Sequence, residues 1–121
     1  MIDGTLIAES LRVGTNLDNL KLTVRKISRY RAQGTTPDQP DIWTVLGFET
    51  DEAGARELAE AFASVLDQPG WYVDFHSPRE TFVVFPGRIF LYPRGDEAGR
   101  ADAQAYGRQL AIPEPQLDWP V

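Results

Sequence analysis

The sequence contains no cysteine and only one histidine among its 121 residues. The absence of cysteine excludes disulfide bonds, zinc–thiolate sites and thiol nucleophiles. One histidine and scattered carboxylates do not supply the ligand set of a zinc centre, and no segment has the spacing of a calcium-binding loop. The glycines are too isolated to form a phosphate-binding loop. We therefore predict neither a metal site nor a cofactor.

Long apolar runs are also missing. No segment approaches the roughly 20 apolar residues of a membrane span, and the first residues lack the basic stretch and apolar run of a secretion signal. The formal net charge is −6, and an acidic chain is not drawn to nucleic acid or to anionic membranes. We expect one cytoplasmic domain over residues 1–121, with no membrane contact and with nucleic acid disfavoured as a partner.

The predicted strands and helices occur in groups. Apolar alternation predicts strands near 5–13 and from residue 20 onwards, and a continuous apolar run predicts a central strand at 42–49. Helical spacing follows residue 51, three short strands lie between 71 and 92, a second helix spans about 95–110, and a proline-rich tail occupies 112–121. The order βββαβββα is typical of an α+β domain. We expect a mostly antiparallel sheet of five to six strands, with both helices on one face.

Two turns with proline at their second position divide the stretch from Trp71 to Tyr92 into three strands. The turns are Ser77-Pro78-Arg79-Glu80 and Phe85-Pro86-Gly87-Arg88, and the fixed φ of proline suits that position. If the two central residues of each turn are unpaired, two sets of apolar residues become neighbours. These sets are Phe75, Phe82 and Leu91, and Val73, Val84 and Ile89.

The opposite face of these three strands mixes aromatic and charged side chains, because side chains alternate along a strand. We predict that this face is left open or is covered only by loops and the tail. We also predict that it binds a partner, since Tyr, Phe and Arg are the residue types that anchor protein interfaces. The leading hypothesis is a non-enzymatic protein that binds another protein or forms a homodimer. The predicted contact residues are Tyr72, Phe85, Arg88, Phe90 and Tyr92.

Asp74 and His76 share this face and suggest a second hypothesis, a small enzyme. A carboxylate beside an imidazole raises the imidazole pKa and supports general-base catalysis. Two residues along a strand lie about 6 to 7 Å apart at Cα, and such pairs arise often by chance. The simpler interpretation is a solvated histidine at the end of a hairpin.

A basic segment suggests a third hypothesis. Five of the twelve basic residues lie between positions 21 and 31, and in a regular strand Lys21, Arg25, Arg29 and Arg31 point the same way. Such a row is able to bind an anion or an RNA backbone weakly. The simpler interpretation is a charged outer face that prevents edge-to-edge aggregation. We also predict a β-bulge near Arg25 and Lys26, which would keep Ile27 on the core side.

Several motifs support a resemblance to other proteins. They are Trp71-Tyr72-Val73-Asp74-Phe75-His76-Ser77, the run from Glu80 to Arg88, Tyr92-Pro93-Arg94-Gly95-Asp96, and the closing Leu117-Asp118-Trp119-Pro120. On these residues the chain resembles small uncharacterised proteins of actinobacterial type. The resemblance implies a free-standing small protein but no known activity, so no catalytic residue is carried over from it.

Overall fold

A computed structural model describes residues 1–120, which form six strands and two α-helices in two successive groups. Short 3₁₀ turns follow the first strand, precede the first helix and interrupt the tail. The predicted α+β class and the order βββαβββα are confirmed. The elements are β1 (Ile2–Ile7), β2 (Thr23–Arg31), β3 (Ile42–Thr50), α1 (Ala55–Val65), β4 (Val73–His76), β5 (Glu80–Phe85), β6 (Arg88–Pro93) and α2 (Glu97–Gln109).

The strands form a single sheet in the order β2-β3-β1-β4-β5-β6, and every neighbouring pair is antiparallel. β1 is shorter than predicted, because the chain turns into a 3₁₀ helix at Ala8–Ser10. Gly4 lies in the middle of β1, between Phe48 of β3 and Phe75 of β4. A Cβ atom at position 4 would lie 2.5 Å from the Phe48 ring. The centre of the sheet therefore requires glycine for steric reasons.

The register of β4, β5 and β6 confirms the pairing predicted from the two turns. Val73 pairs with Val84, which pairs with Ile89, and the other predicted trio pairs in the same way. The first turn is also held by Ser77, whose Oγ accepts hydrogen bonds from the Arg79 and Glu80 amides at 3.1 and 3.0 Å. Local turn chemistry thus sets the register of half the sheet.

The first hydrophobic core lies between α1 and one face of the sheet. Phe62 of α1 is fully buried, with ring centroids 6.1 Å from Phe48 and 6.2 Å from Phe75. Phe75 also stacks on Phe82 at 4.9 Å. Leucines from the loop between β1 and β2 also pack against this core.

The second helix packs on the opposite face of the sheet, so the expectation that both helices share one face is wrong. α2 and the tail bury Val83 and Phe85 in a second core. The physical reason is that β5 is apolar on both faces and needs cover on both. Small residues at intervals of four allow α2 to lie close to the sheet. These residues are Gly99, Ala103 and Gly107.

Candidate functional site

Most of the predicted interaction face is covered rather than open. Phe85 and Tyr92 are only 0% and 5% exposed, and Tyr72 and Phe90 are half-buried. Arg88 is exposed, and its guanidinium lies 4.6 Å from the centre of the Phe90 ring. Because α2 and the tail occupy this half of the face, the prediction of an open surface is corrected here. These aromatic residues form a core.

The other half of the same face, formed by β1, β2 and β3, is left open by α2. Thr5 and Tyr30 on this side are exposed, and Ile7 is half-buried. The tail crosses the sheet between the covered and open halves. A cavity of about 420 Å³ lies at that boundary.

Hydrogen bonds hold the tail that forms one wall of the cavity. The Tyr72 hydroxyl donates to the Gln116 carbonyl, and the Gln104 amide donates to the Leu117 carbonyl at 3.0 Å. The Trp119 indole N–H donates to the Tyr92 hydroxyl at 2.7 Å. The wall is therefore part of the folded domain and not a loosely attached end.

All three tryptophans of the chain line this cavity, although they lie far apart in the sequence. Trp43 and Trp71 are in contact, with ring centroids 5.4 Å apart, and Trp119 contacts Tyr72 at 5.0 Å. Tyr30 of β2 forms the outer rim. Sequence reasoning did not identify this site. The sequence shows only that Trp43 lies near the start of β3, Trp71 just before β4 and Trp119 near the end of the tail, and this spacing does not bring them together.

Two carboxylates, those of Asp74 and Asp118, also line the cavity. Burial, together with the negative charge of Asp118, raises the pKa of Asp74 to about 6, whereas the backbone amide of Asp74 itself opposes the rise. Burial raises the pKa of Tyr72 strongly, and the two aspartates add to that effect. The cavity is therefore a site of unfavourable negative charge.

The structure does not join Asp74 to His76. Within residues 1–120 no hydrogen bond or ion pair links them, and the charged neighbours of His76 are Arg94 and Asp3. Burial and the positive charge of Arg94 lower the pKa of His76, although Asp3 opposes the effect. A general base next to a carboxylate would show the opposite shift. The enzyme hypothesis therefore loses the contact on which it depended.

The basic residues near β2 do not form one row. The predicted bulge is present between Val24 and Lys26, and it changes the phase of the strand. Arg25 consequently forms an ion pair with Glu49 at 3.2 Å, whereas Arg29 and Arg31 pair with Thr44 and Ile42 on the opposite face. The bulge does keep Ile27 on the core side of the sheet, opposite Leu46, but Ile27 lies on the edge strand beyond the core and is 69% exposed. Lys21 is exposed and precedes the strand.

Arg29 is linked to a small polar network. Glu9 accepts hydrogen bonds from the Thr44 amide at 2.6 Å and from the Thr44 hydroxyl at 2.9 Å, and Arg29 donates to the same hydroxyl at 3.4 Å. Burial alone would raise the pKa of Glu9, but these bonds and the charge of Arg29 lower it. Within the described residues, Lys26 and Arg31 form no ion pair.

Comparison with known proteins adds nothing to this picture, because no family model, curated protein or solved structure matches the chain. The resemblance to actinobacterial proteins stays a prediction. Across residues 1–120, neither helix combines the length and apolar character needed to cross a membrane. In the same residues, no three histidine or carboxylate side chains gather as a metal ion would require.

Proposed function

We propose that this protein acts by binding another protein and that the free edge of β2 is its contact surface. The observation that carries the proposal is the exposure of this strand. β2 is nine residues long, hydrogen-bonds to β3 alone, and is exposed at every position except Ser28. A long unpaired edge is a template for the addition of another strand.

The two edges of the sheet differ in availability. β6, at the other edge, has six residues and ends at Pro93, which has no N–H to donate. Its Ile89 and Phe90 are half-buried. β2 instead presents exposed Val24 and Ile27 on one face and exposed Tyr30 on the other. A strand added to β2 would bury apolar surface as well as pair its backbone.

Charge favours an acidic, extended segment as the occupant. The stretch from 20 to 32 contains five basic residues and no acidic residue, in a chain with net charge −6. Pairing β2 with β2 of a second copy would place like charges opposite one another, which is destabilising. The acidic remainder of the chain opposes binding to RNA.

The proposal is tested with a synthetic peptide in which glutamate alternates with valine, followed by NMR. We expect chemical-shift changes and slower amide exchange that are confined to β2 and β3. A matched peptide with lysine in place of glutamate is expected not to bind. Lys26→Glu combined with Arg31→Glu should weaken binding at least about tenfold, whereas Arg79→Glu, which is exposed in the β4–β5 turn, should not.

Three results would overturn the proposal. In the first, the acidic peptide leaves β2 unchanged, or the Arg79 variant weakens binding as much as the β2 variant. In the second, a homopolymeric RNA shifts the β2 signals with a steep salt dependence while the peptide does not. In the third, light scattering shows a dimer that the β2 variant dissociates, and the occupant is then a second copy of the chain.

A further inference from the structure

The cavity between β1, β3 and the tail has a composition that suits a cation. Its wall includes the three tryptophans, Tyr30, Tyr72 and two aspartates, but no lysine, arginine or histidine among residues 1–120. The face of an aromatic ring attracts positive charge, and indole does so most strongly. The surfaces that converge here are therefore all neutral or negative.

The two carboxylates of the cavity have no ion-pair partner among residues 1–120, although the charge of Arg100 acts on the neighbouring Tyr72. Asp74 lies on β4 and is half-buried, and this burial raises its pKa. A buried carboxylate is costly unless it is paired, so a ligand that supplies a positive charge would remove that cost.

The neighbouring basic strand does not oppose a cation at this site. Tyr30 lies at the cavity rim, opposite Trp43. Its neighbours Arg29 and Arg31 are directed to the other face of the sheet, where they pair with β3. The alternation of β2 thus keeps two guanidinium groups away from the cavity.

We propose that this cavity binds an organic ammonium cation. The charge lies near the carboxylates of Asp74 and Asp118, and the alkyl groups lie against the tryptophan and tyrosine rings. The volume of about 420 Å³ falls within the range of small-molecule sites. The same chemistry is presented by a free amine and by a methylated lysine side chain of a protein. This site shares Tyr30 with the β2 strand, but either proposal can fail alone, because the probes differ and the two carboxylates lie outside β2.

Choline is the first probe, because its charge does not change with pH. Its neutral isostere 3,3-dimethyl-1-butanol serves as the matched control. Binding is followed by tryptophan fluorescence and by the three indole N–H signals in NMR, since every tryptophan of the chain lines the cavity. We expect saturable shifts of the indole signals with choline, and binding at least about tenfold weaker with the isostere.

Variants of the two carboxylates test their role. Asp74→Asn and the exposed Asp118→Asn should each weaken choline binding at least about fivefold. Asp102→Asn removes the same charge from an exposed position of α2 that does not line the cavity, and it should leave binding unchanged. Tyr30→Ala removes a ring from the rim without disturbing a core and should weaken binding.

Choline affinity should also fall between pH 7.5 and pH 5, because protonated Asp74 no longer attracts the cation. Asp74→Asn should remove that pH dependence. The titratable and charged groups around Asp74 come from several elements and are included in the interpretation of the titration. They are Asp118 from the tail, Tyr72 just before β4, His76 at the end of β4, Tyr92 from β6 and Arg100 from α2.

A peptide that carries trimethyl-lysine distinguishes the two sources of the ligand. If the peptide binds more tightly than choline, the source is a modified protein, and if it is excluded, the source is a free amine. The proposal is overturned if the isostere binds as well as choline, if Asp74→Asn and Asp118→Asn bind choline like the unmodified protein, or if choline does not shift the indole signals at millimolar concentration.

Discussion

Replacement of Asp74 by asparagine should stabilise the protein at neutral pH, even though Asp74 lies in the candidate cavity. Burial and the charge of Asp118 raise the pKa of Asp74 from its ordinary value of 3.8 to about 6. The folded protein therefore binds a proton more tightly than the unfolded chain does. The contribution of Asp74 to stability is therefore most favourable when this group is protonated, and it falls as the pH rises from about 4 to about 6.

The size of the effect follows from the shift. Each pKa unit corresponds to about 1.4 kcal/mol, so a shift of about two units makes ionised Asp74 cost up to about 3 kcal/mol. Asparagine keeps the shape of the side chain and its acceptor oxygen but has no charge. We expect Asp74→Asn to raise the free energy of unfolding at pH 7.5 by about 1 to 3 kcal/mol, and to give little gain below pH 4.

Urea unfolding at a series of pH values between 3.5 and 8 measures this difference. Asp102→Asn is the control, because it removes one carboxylate from the exposed side of α2. A gain for Asp74→Asn that is equal at pH 4 and at pH 7.5 would show that burial of its charge is not the cause. A destabilised variant at pH 7.5 would refute the reasoning altogether.

Two further predictions concern the first core. Phe62→Ala should lower the free energy of unfolding by about 3 to 5 kcal/mol. Leu91→Ala, at a site 37% exposed, should lower it by less than about 1 kcal/mol. Equal urea midpoints for the two variants would show that α1 does not form the core. Gly4→Ala should cost about 1 to 3 kcal/mol, because its Cβ would lie 2.5 Å from the Phe48 ring and 2.6 Å from the Phe75 Cβ. An unchanged thermal midpoint for Gly4→Ala would show that β1 has room there.

Local interactions explain why much of the fold was predictable. The two proline turns and the period of two predicted the pairing from β4 to β6, since a tight turn leaves few possible registers. The start of α2 near residue 95 was also predicted. In the structure the Asp96 side chain caps this helix by accepting a hydrogen bond from the Gly99 amide at 3.2 Å. The candidate functional sites were harder to predict from the sequence. Asp74 and His76 share a face, as alternation requires, but alternation does not determine their distance from other charges.

The sequence by itself determined the element order, the antiparallel hairpins and the set of residues that share each face of the last three strands. Only the tertiary structure decided what covers each face, because that depends on the path of α2 and the tail across the whole sheet. The apolar run from Phe82 to Phe85 places apolar side chains on both faces of β5, but the sequence did not show that α2 and the tail cover the second face. The cavity is the extreme case, since its tryptophans come from three distant segments that only packing brings together.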